Sequence, residues 1–109
     1  MENKLILKKG KTFYLIDKSD IDYIKSEGNC SRLFCGDKNY IVTKSLTSLE
    51  KKIGNNKFLR INKRTIVNIE KIKKMKEINN NKHIIELLND QVFKWGRSYK
   101  KKTIDLLKI

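Results

Sequence analysis

The sequence predicts a mostly β domain of roughly eight strands with two short helices. Three observations carry that reading. Short apolar segments recur between polar turns, in a chain with no proline and only five glycines. Only two stretches carry an apolar stripe at helical spacing. The 109 residues, 39% hydrophobic and 35% charged, are one globular domain's worth, so residues 1–109 are expected to form a single domain.

The elements follow in order along the chain. Leu5-Ile6-Leu7 and the segment Thr12 to Ile16 are two strands turning at Lys9-Gly10. A third strand, Ile21 to Lys25, ends at Glu27-Gly28-Asn29. Arg32 to Cys35 and Asn39 to Val42 flank Gly36-Asp37-Lys38, a hairpin signal. Leu46, Leu49 and Ile53 then make one stripe of a short helix, with Ser45 as its cap and Gly54 just past its end. Phe58 to Ile61 returns to a strand. In the next stretch Ile66, Ile69, Ile72 and Met75 step by three, as in a helix. Asn68 and the β-branched start argue instead for a turn followed by a strand. Ile84 to Leu88 and Val92 to Trp95 form a last hairpin across Asn89-Asp90, with Phe93 and Trp95 sharing a core-facing side. Ser98 is expected to cap a final helix that turns Tyr99, Thr103, Leu106 and Leu107 inward and Lys100, Lys101 and Lys102 outward.

Charge is the strongest functional signal. Twenty-six Lys and Arg oppose twelve Asp and Glu, a net charge of +14. That self-repulsion favours a polyanionic partner, nucleic acid first, ahead of an anionic membrane or an acidic protein. An AT-rich genome explains lysine over arginine, but not the excess itself. No apolar run approaches the ~18–20 residues that span a bilayer, and Met1-Glu2-Asn3-Lys4 opens no secretory segment, so a cytoplasmic location is expected. Cys30, Cys35 and the lone His83 do not provide a zinc set, and the cysteines read as reduced thiols. No cofactor, metal or small-molecule substrate is expected. There is no phosphate-binding glycine loop, metal-binding carboxylate pair or nucleophile–histidine pair, so an enzyme is not expected.

No pair of adjacent helices offers a helix-turn-helix, so any sequence-reading residues must lie in loops. Asn62-Lys63-Arg64 is such a loop, polar between apolar anchors Phe58 to Ile61 and Thr65 to Asn68. Asparagine can pair with adenine, and lysine or arginine with guanine or phosphate. Arg97 follows Gly96 and opens the last helix, whose first amides favour phosphate. Arg60 reads as structural or phosphate-facing. Lys71, Lys73, Lys74 and Lys76 either line a nucleic acid or keep an edge strand solvated.

The stretch from Phe58 through Arg60 and Lys63 to Ile66-Val67-Asn68 resembles the signature of the LytTR family of DNA-binding domains. Asp20 to Ile24 with Glu27-Gly28-Asn29, Ser45 to Glu50, and Arg97-Ser98-Tyr99 fit the same family in the same order, over about Leu5 to Leu107. The resemblance implies an elongated stack of antiparallel sheets whose loops enter successive grooves of double-stranded DNA. It places base reading on Arg97, Lys63, Asn62, Arg32 and Ser31. Phosphate contact falls to Arg64, Asn29, Ser98, Tyr99, Lys100 and Lys101. It also implies binding to direct repeats as a pair. In the family a phosphorylatable receiver domain usually comes first. None is present here, so the chain is either an excised domain or a stand-alone transcription regulator. Asn62 stands where the family has histidine, Arg64-Thr65 where it has serine-tyrosine, and Gly96 where serine or threonine is common. Those departures put the base preference in doubt. The rival readings are a basic β-type RNA- or polyanion-binding module without sequence preference, and an interaction domain for an acidic protein. The first would need exposed aromatics, but Phe13, Tyr23, Phe34, Phe58 and Trp95 mostly sit in apolar segments.

Overall fold

A computed structural model describes residues 3–54 and 56–108; Met1 and Glu2, which open the N-terminal segment read above, lie outside the described residues. Ten strands and two helices run in the order β1 (Lys4–Lys9), β2 (Thr12–Asp17), β3 (Tyr23–Glu27), β4 (Cys30–Cys35), β5 (Lys38–Val42), α1 (Leu46–Ile53), β6 (Phe58–Asn62), β7 (Thr65–Asn68), β8 (Ile72–Asn79), β9 (Lys82–Leu87), β10 (Val92–Lys94) and α2 (Arg97–Leu107). All strand pairs are antiparallel. They form three sheets: β1-β2, β5-β4-β3-β7-β6 and β10-β9-β8. The molecule measures 49 × 28 × 25 Å, the elongated stack expected.

Strand alternation sorts the central sheet's side chains between two cores. Ile24, Leu33 and Ile66 face α1 and the β1-β2 hairpin, packing with Leu46, Leu49, Ile53 and Ile16. Tyr23, Leu59, Ile61 and Val67 face the three-stranded sheet, packing with Ile85, Leu87, Phe93 and Trp95. Phe93 and Trp95 are therefore core residues, as expected. Ser45 caps α1 by accepting from the Ser48 N–H at 3.1 Å. In the β3-β4 turn Gly28 has φ 63°, a left-handed value that glycine adopts without strain.

Four local expectations are corrected. The stretch from Ile66 to Met75 is not a turn and one strand; β7 ends at Asn68, a 3-10 turn covers Ile69–Lys71, and β8 begins at Ile72. This extra strand helps raise the count to ten. Ser98 does not cap α2: Gly96 is the N-cap residue, Arg97 starts the helix, and no side chain caps it. Leu106 and Leu107 are exposed; α2 is anchored earlier, by buried Thr103 and by Ile104 packed on the second core. Lys100 does not point freely outward; it is half-buried and ion-paired to Glu77.

Candidate nucleic-acid interface

Three loops meet along one side of the stack because strand pairing brings their stems together. The β3-β4 turn is tied to the β6-β7 loop by the Ser26 N–H donating to the Arg64 carbonyl at 3.0 Å. The β6-β7 loop is tied to the β10-α2 junction by Asn62 Nδ2 donating to the Lys94 carbonyl at 2.6 Å and by the Gly96 N–H donating to the Ile61 carbonyl at 2.7 Å. The segments containing Asn29, Lys63 and Arg97 are thus joined in one hydrogen-bonded line. The stacked sheets fix its spacing.

The middle loop is braced from below. Arg60 projects toward α1, where its Nη1 donates to Thr47 and Glu50, each at 3.1 Å. Its Nε and Nη2 donate back to the carbonyls of Asn62 and Lys63 at 3.3 and 2.6 Å. Arg60 is therefore structural. Asn62 Oδ1 accepts from the Arg64 N–H at 2.8 Å while its Nδ2 holds Lys94. Both ends of the amide are engaged in loop geometry. Lys63 and Arg64 are left exposed at the tip.

The second and third loops enclose a cleft of about 570 Å3. Lys25, Lys63, Arg64 and Lys94 bring positive charge to it, and Ser98 and Tyr99 open α2 at its side. Among the described residues no carboxylate lines it. Lys25 and Lys94 were missed by sequence reasoning. No motif marks them; Lys25 arrives by pairing with Thr65 and Arg32 in the sheet, and its Nζ lies 5.6 Å from the Phe93 ring centre. Strand alternation marks them only as exposed positions, and the stacking of two sheets brings them to the cleft.

The other expected residues divide. Arg97 is exposed, with Nη2 3.4 Å from Asn81 Oδ1. Lys101 is exposed on α2, and Asn29 on its turn. The space a side chain would need at Gly96 is filled by Tyr99, whose Cδ2 would lie 3.0 Å from an added Cβ. Arg32 is ion-paired to Glu27 and donates to Asn39 at 2.5 Å. The hydrogen bond between them holds the Glu27 carboxyl below the usual carboxylate range and raises the Arg32 guanidinium. Lys100 is held away from the cleft by Glu77 and by His83, whose Nε2 is 3.2 Å away. Its hydrogen bond lowers the Glu77 carboxyl in the same way. Ser31 is corrected: it is fully buried and donates to the Lys44 carbonyl at 2.8 Å, so it fixes the segment that follows β5 and offers nothing to a base. Lys71, in the turn before β8, pairs with Asp22, while on edge strand β8 Lys73 pairs with Glu86 and Asp90 and Lys74 with Glu86.

Comparison with known proteins places this arrangement. The LytTr DNA-binding domain family matches residues 11–108. A relative, the sensory transduction protein LytT of Bacillus subtilis (strain 168), is 28% identical over 108 residues. That match covers 99% of this chain and 45% of the relative, so the chain spans less than half the relative's length. A solved LytTr DNA-binding domain from Bacillus cereus superposes with a TM-score of 0.83 at 18% identity, covering 98% of both chains. The likeness to that structure is one of fold.

Proposed function

The chain belongs to the LytTR family of DNA-binding domains, and from that premise we propose that it reads specific double-stranded DNA sequences to regulate transcription, its three joined loops entering successive grooves. The observation that carries this reading is the hydrogen-bonded line from the β3-β4 turn through Asn62 to Gly96. A rigid line of loops can follow a duplex, whereas separately mobile loops would lose affinity to ordering.

Arg97 and Lys63 are the base readers, because each is exposed, Arg97 as the first residue of α2 and Lys63 at its loop tip, and can address the acceptors of guanine. Arg32 joins them: three of its five N–H donors are engaged and two remain. Asn62 positions rather than reads, because bidentate pairing with adenine needs the amide ends that already hold Lys94 and Arg64. Arg64, Lys101, Asn29, Ser98 and Tyr99 meet phosphates, and Lys25 and Lys94 join them. Residues 1–109 act as one binding unit that occupies direct repeats as a pair, under the control of a receiver domain where one is attached.

Selection from a randomised duplex library at about 150 mM salt tests the reading. A recovered direct-repeat motif supports it. Salt-sensitive binding with no motif replaces it with a generic polyanion binder. Within a recovered motif, Arg97→Ala relaxes preference at one base position and costs ~1–3 kcal/mol. Lys101→Ala weakens all sequences alike.

A further inference from the structure

The β6-β7 ladder pairs Arg60 with Ile66 and then Asn62 with Thr65, so its register shifts at the approach to Lys63. A shift of this kind re-aims a strand, and ladder bonds alone do not fix the loop that follows. Arg60 supplies what the ladder lacks. Its Nε and Nη2 hold the carbonyls of Asn62 and Lys63, and its Nη1 reaches Thr47 and Glu50. Thr47 and Glu50 stand three residues apart on α1, so they share a face of the helix. That helix is a fixed platform, because Leu46, Leu49 and Ile53 are buried in the first core. Four of the five guanidinium N–H donors are thus engaged, and the Arg60 side chain is only 15% exposed. Arg60 is therefore committed to the protein rather than to phosphate. Glu50 is its ionic partner among the described residues.

We infer that Glu50 is a positioning residue for base reading, a role that rests on the DNA reading proposed for this loop. By holding Arg60 against α1, it sets where the β6-β7 loop presents Lys63. The carboxylate and Thr47 fix the guanidinium plane, and the plane fixes two successive carbonyls of the loop. Charge-assisted hydrogen bonds are short and directional, which suits them to orientation. The Glu50 side chain is 43% exposed, so solvent screens the pair and it adds little to overall stability. What Glu50 supplies is aim. The Arg97 junction is held separately, by the Gly96 N–H on the Ile61 carbonyl.

The test uses the intact chain, the duplex recovered by library selection and single-base variants of that duplex. Anisotropy gives affinity, and backbone amide NMR of the free chain reports on the loop. Glu50→Ala should keep the thermal midpoint, since alanine is the better helix former at an exposed position. It should shift the Lys63 and Arg64 amides. It should also relax discrimination about tenfold at the base that Lys63→Ala relaxes. At the base relaxed by Arg97→Ala it should change nothing. Adding Glu50→Ala to Lys63→Ala should relax the first base no further than Lys63→Ala alone. Glu50→Gln should restore most of the discrimination, because its amide oxygen can still accept from Arg60. Both variants remove the same charge, so a mere loss of repulsion between Glu50 and phosphate would move them alike. Three results overturn the inference: Lys63 and Arg64 amides that stay in place in Glu50→Ala; equal gains in affinity for every duplex in both variants, with preference intact; or equal loss of preference at the Lys63 and Arg97 bases. If selection returns no motif, sequence reading itself falls, and the role of Glu50 with it.

Discussion

The amide of Asn62 bonds inward at both ends, to Lys94 through its nitrogen and to Arg64 through its oxygen. Its neighbour Lys63 points away from every such partner and is exposed. The two residues should therefore fail differently. Asn62→Ala removes two loop bonds and should lower stability by ~1–2 kcal/mol, read as a lower thermal midpoint. Lys63→Ala should leave the midpoint in place and weaken duplex binding. An unchanged midpoint for Asn62→Ala, together with altered preference at one base, would return Asn62 to the readers. Cys35 shows a different residue-scale effect. Burial, then the negative charges of Asp22 and Asp20, push its thiol up to about 11. A raised thiol pKa keeps the group protonated through the neutral range, and thiolate forms only as pH climbs toward that value. Cys35 should alkylate with iodoacetamide roughly a hundredfold more slowly at pH 8 than an ordinary cysteine. Alkylation of the folded chain at an ordinary rate would contradict the burial.

At the scale of elements, α2 is held to the stack at both sides of its first turns: Gly96 bonds β6, and Lys100 pairs with Glu77 on β8. Glu77→Gln should free the helix without unfolding it. Amide hydrogen exchange in α2 should then speed several-fold more than in β3 or β7. Because the hydrogen bond from Lys100 lowers the Glu77 carboxyl, the pair is fully present above the ordinary carboxylate value. It is lost only as pH falls through the lower folded one. The same loosening should therefore appear in the unsubstituted chain only in strong acid; loosening near neutrality would exclude the latch. These elements also mark how far the sequence can be read. The α1 stripe and the β4-β5 hairpin were legible because their signals are local. Ile66, Ile69, Ile72 and Met75 misled because their three-residue step is not a helix: Ile66 faces the α1 core, and the other three pack on the opposite core across a strand-to-strand corner. Ser98 looked like a cap by residue type, but the Gly96 bond to Ile61 starts the helix two residues earlier than a Ser98 cap would allow. The motif residues Lys63 and Arg97 could be named in advance. Lys25 and Lys94 could not, since the stacking of two sheets, and no sequence spacing, brings them to the cleft.

For the whole molecule, net charge and useful charge differ. The +14 total sets long-range attraction, yet many cations already have partners. Lys4, Arg32, Arg60, Lys71, Lys73, Lys74 and Lys100 all form ion pairs among the described residues. A cation that already holds a carboxylate releases fewer counterions when it meets a phosphate. The cations best placed for phosphate are Lys25, Arg64 and Lys94 around the cleft, with Lys101 on the adjoining helix. About four such contacts per domain predict a slope near −3.6 for log K against log salt on a single site. Raising salt from about 50 to 200 mM should then weaken binding by roughly 10²-fold. Titrating a single-site duplex by anisotropy at several salt concentrations gives the slope directly. Substituting both Lys25 and Lys94 by alanine should flatten it by about 2 while leaving base preference intact. A slope near −10 would mean that the lysines beyond the cleft also lie on DNA. A slope shallower than −2 would remove the cleft from the interface.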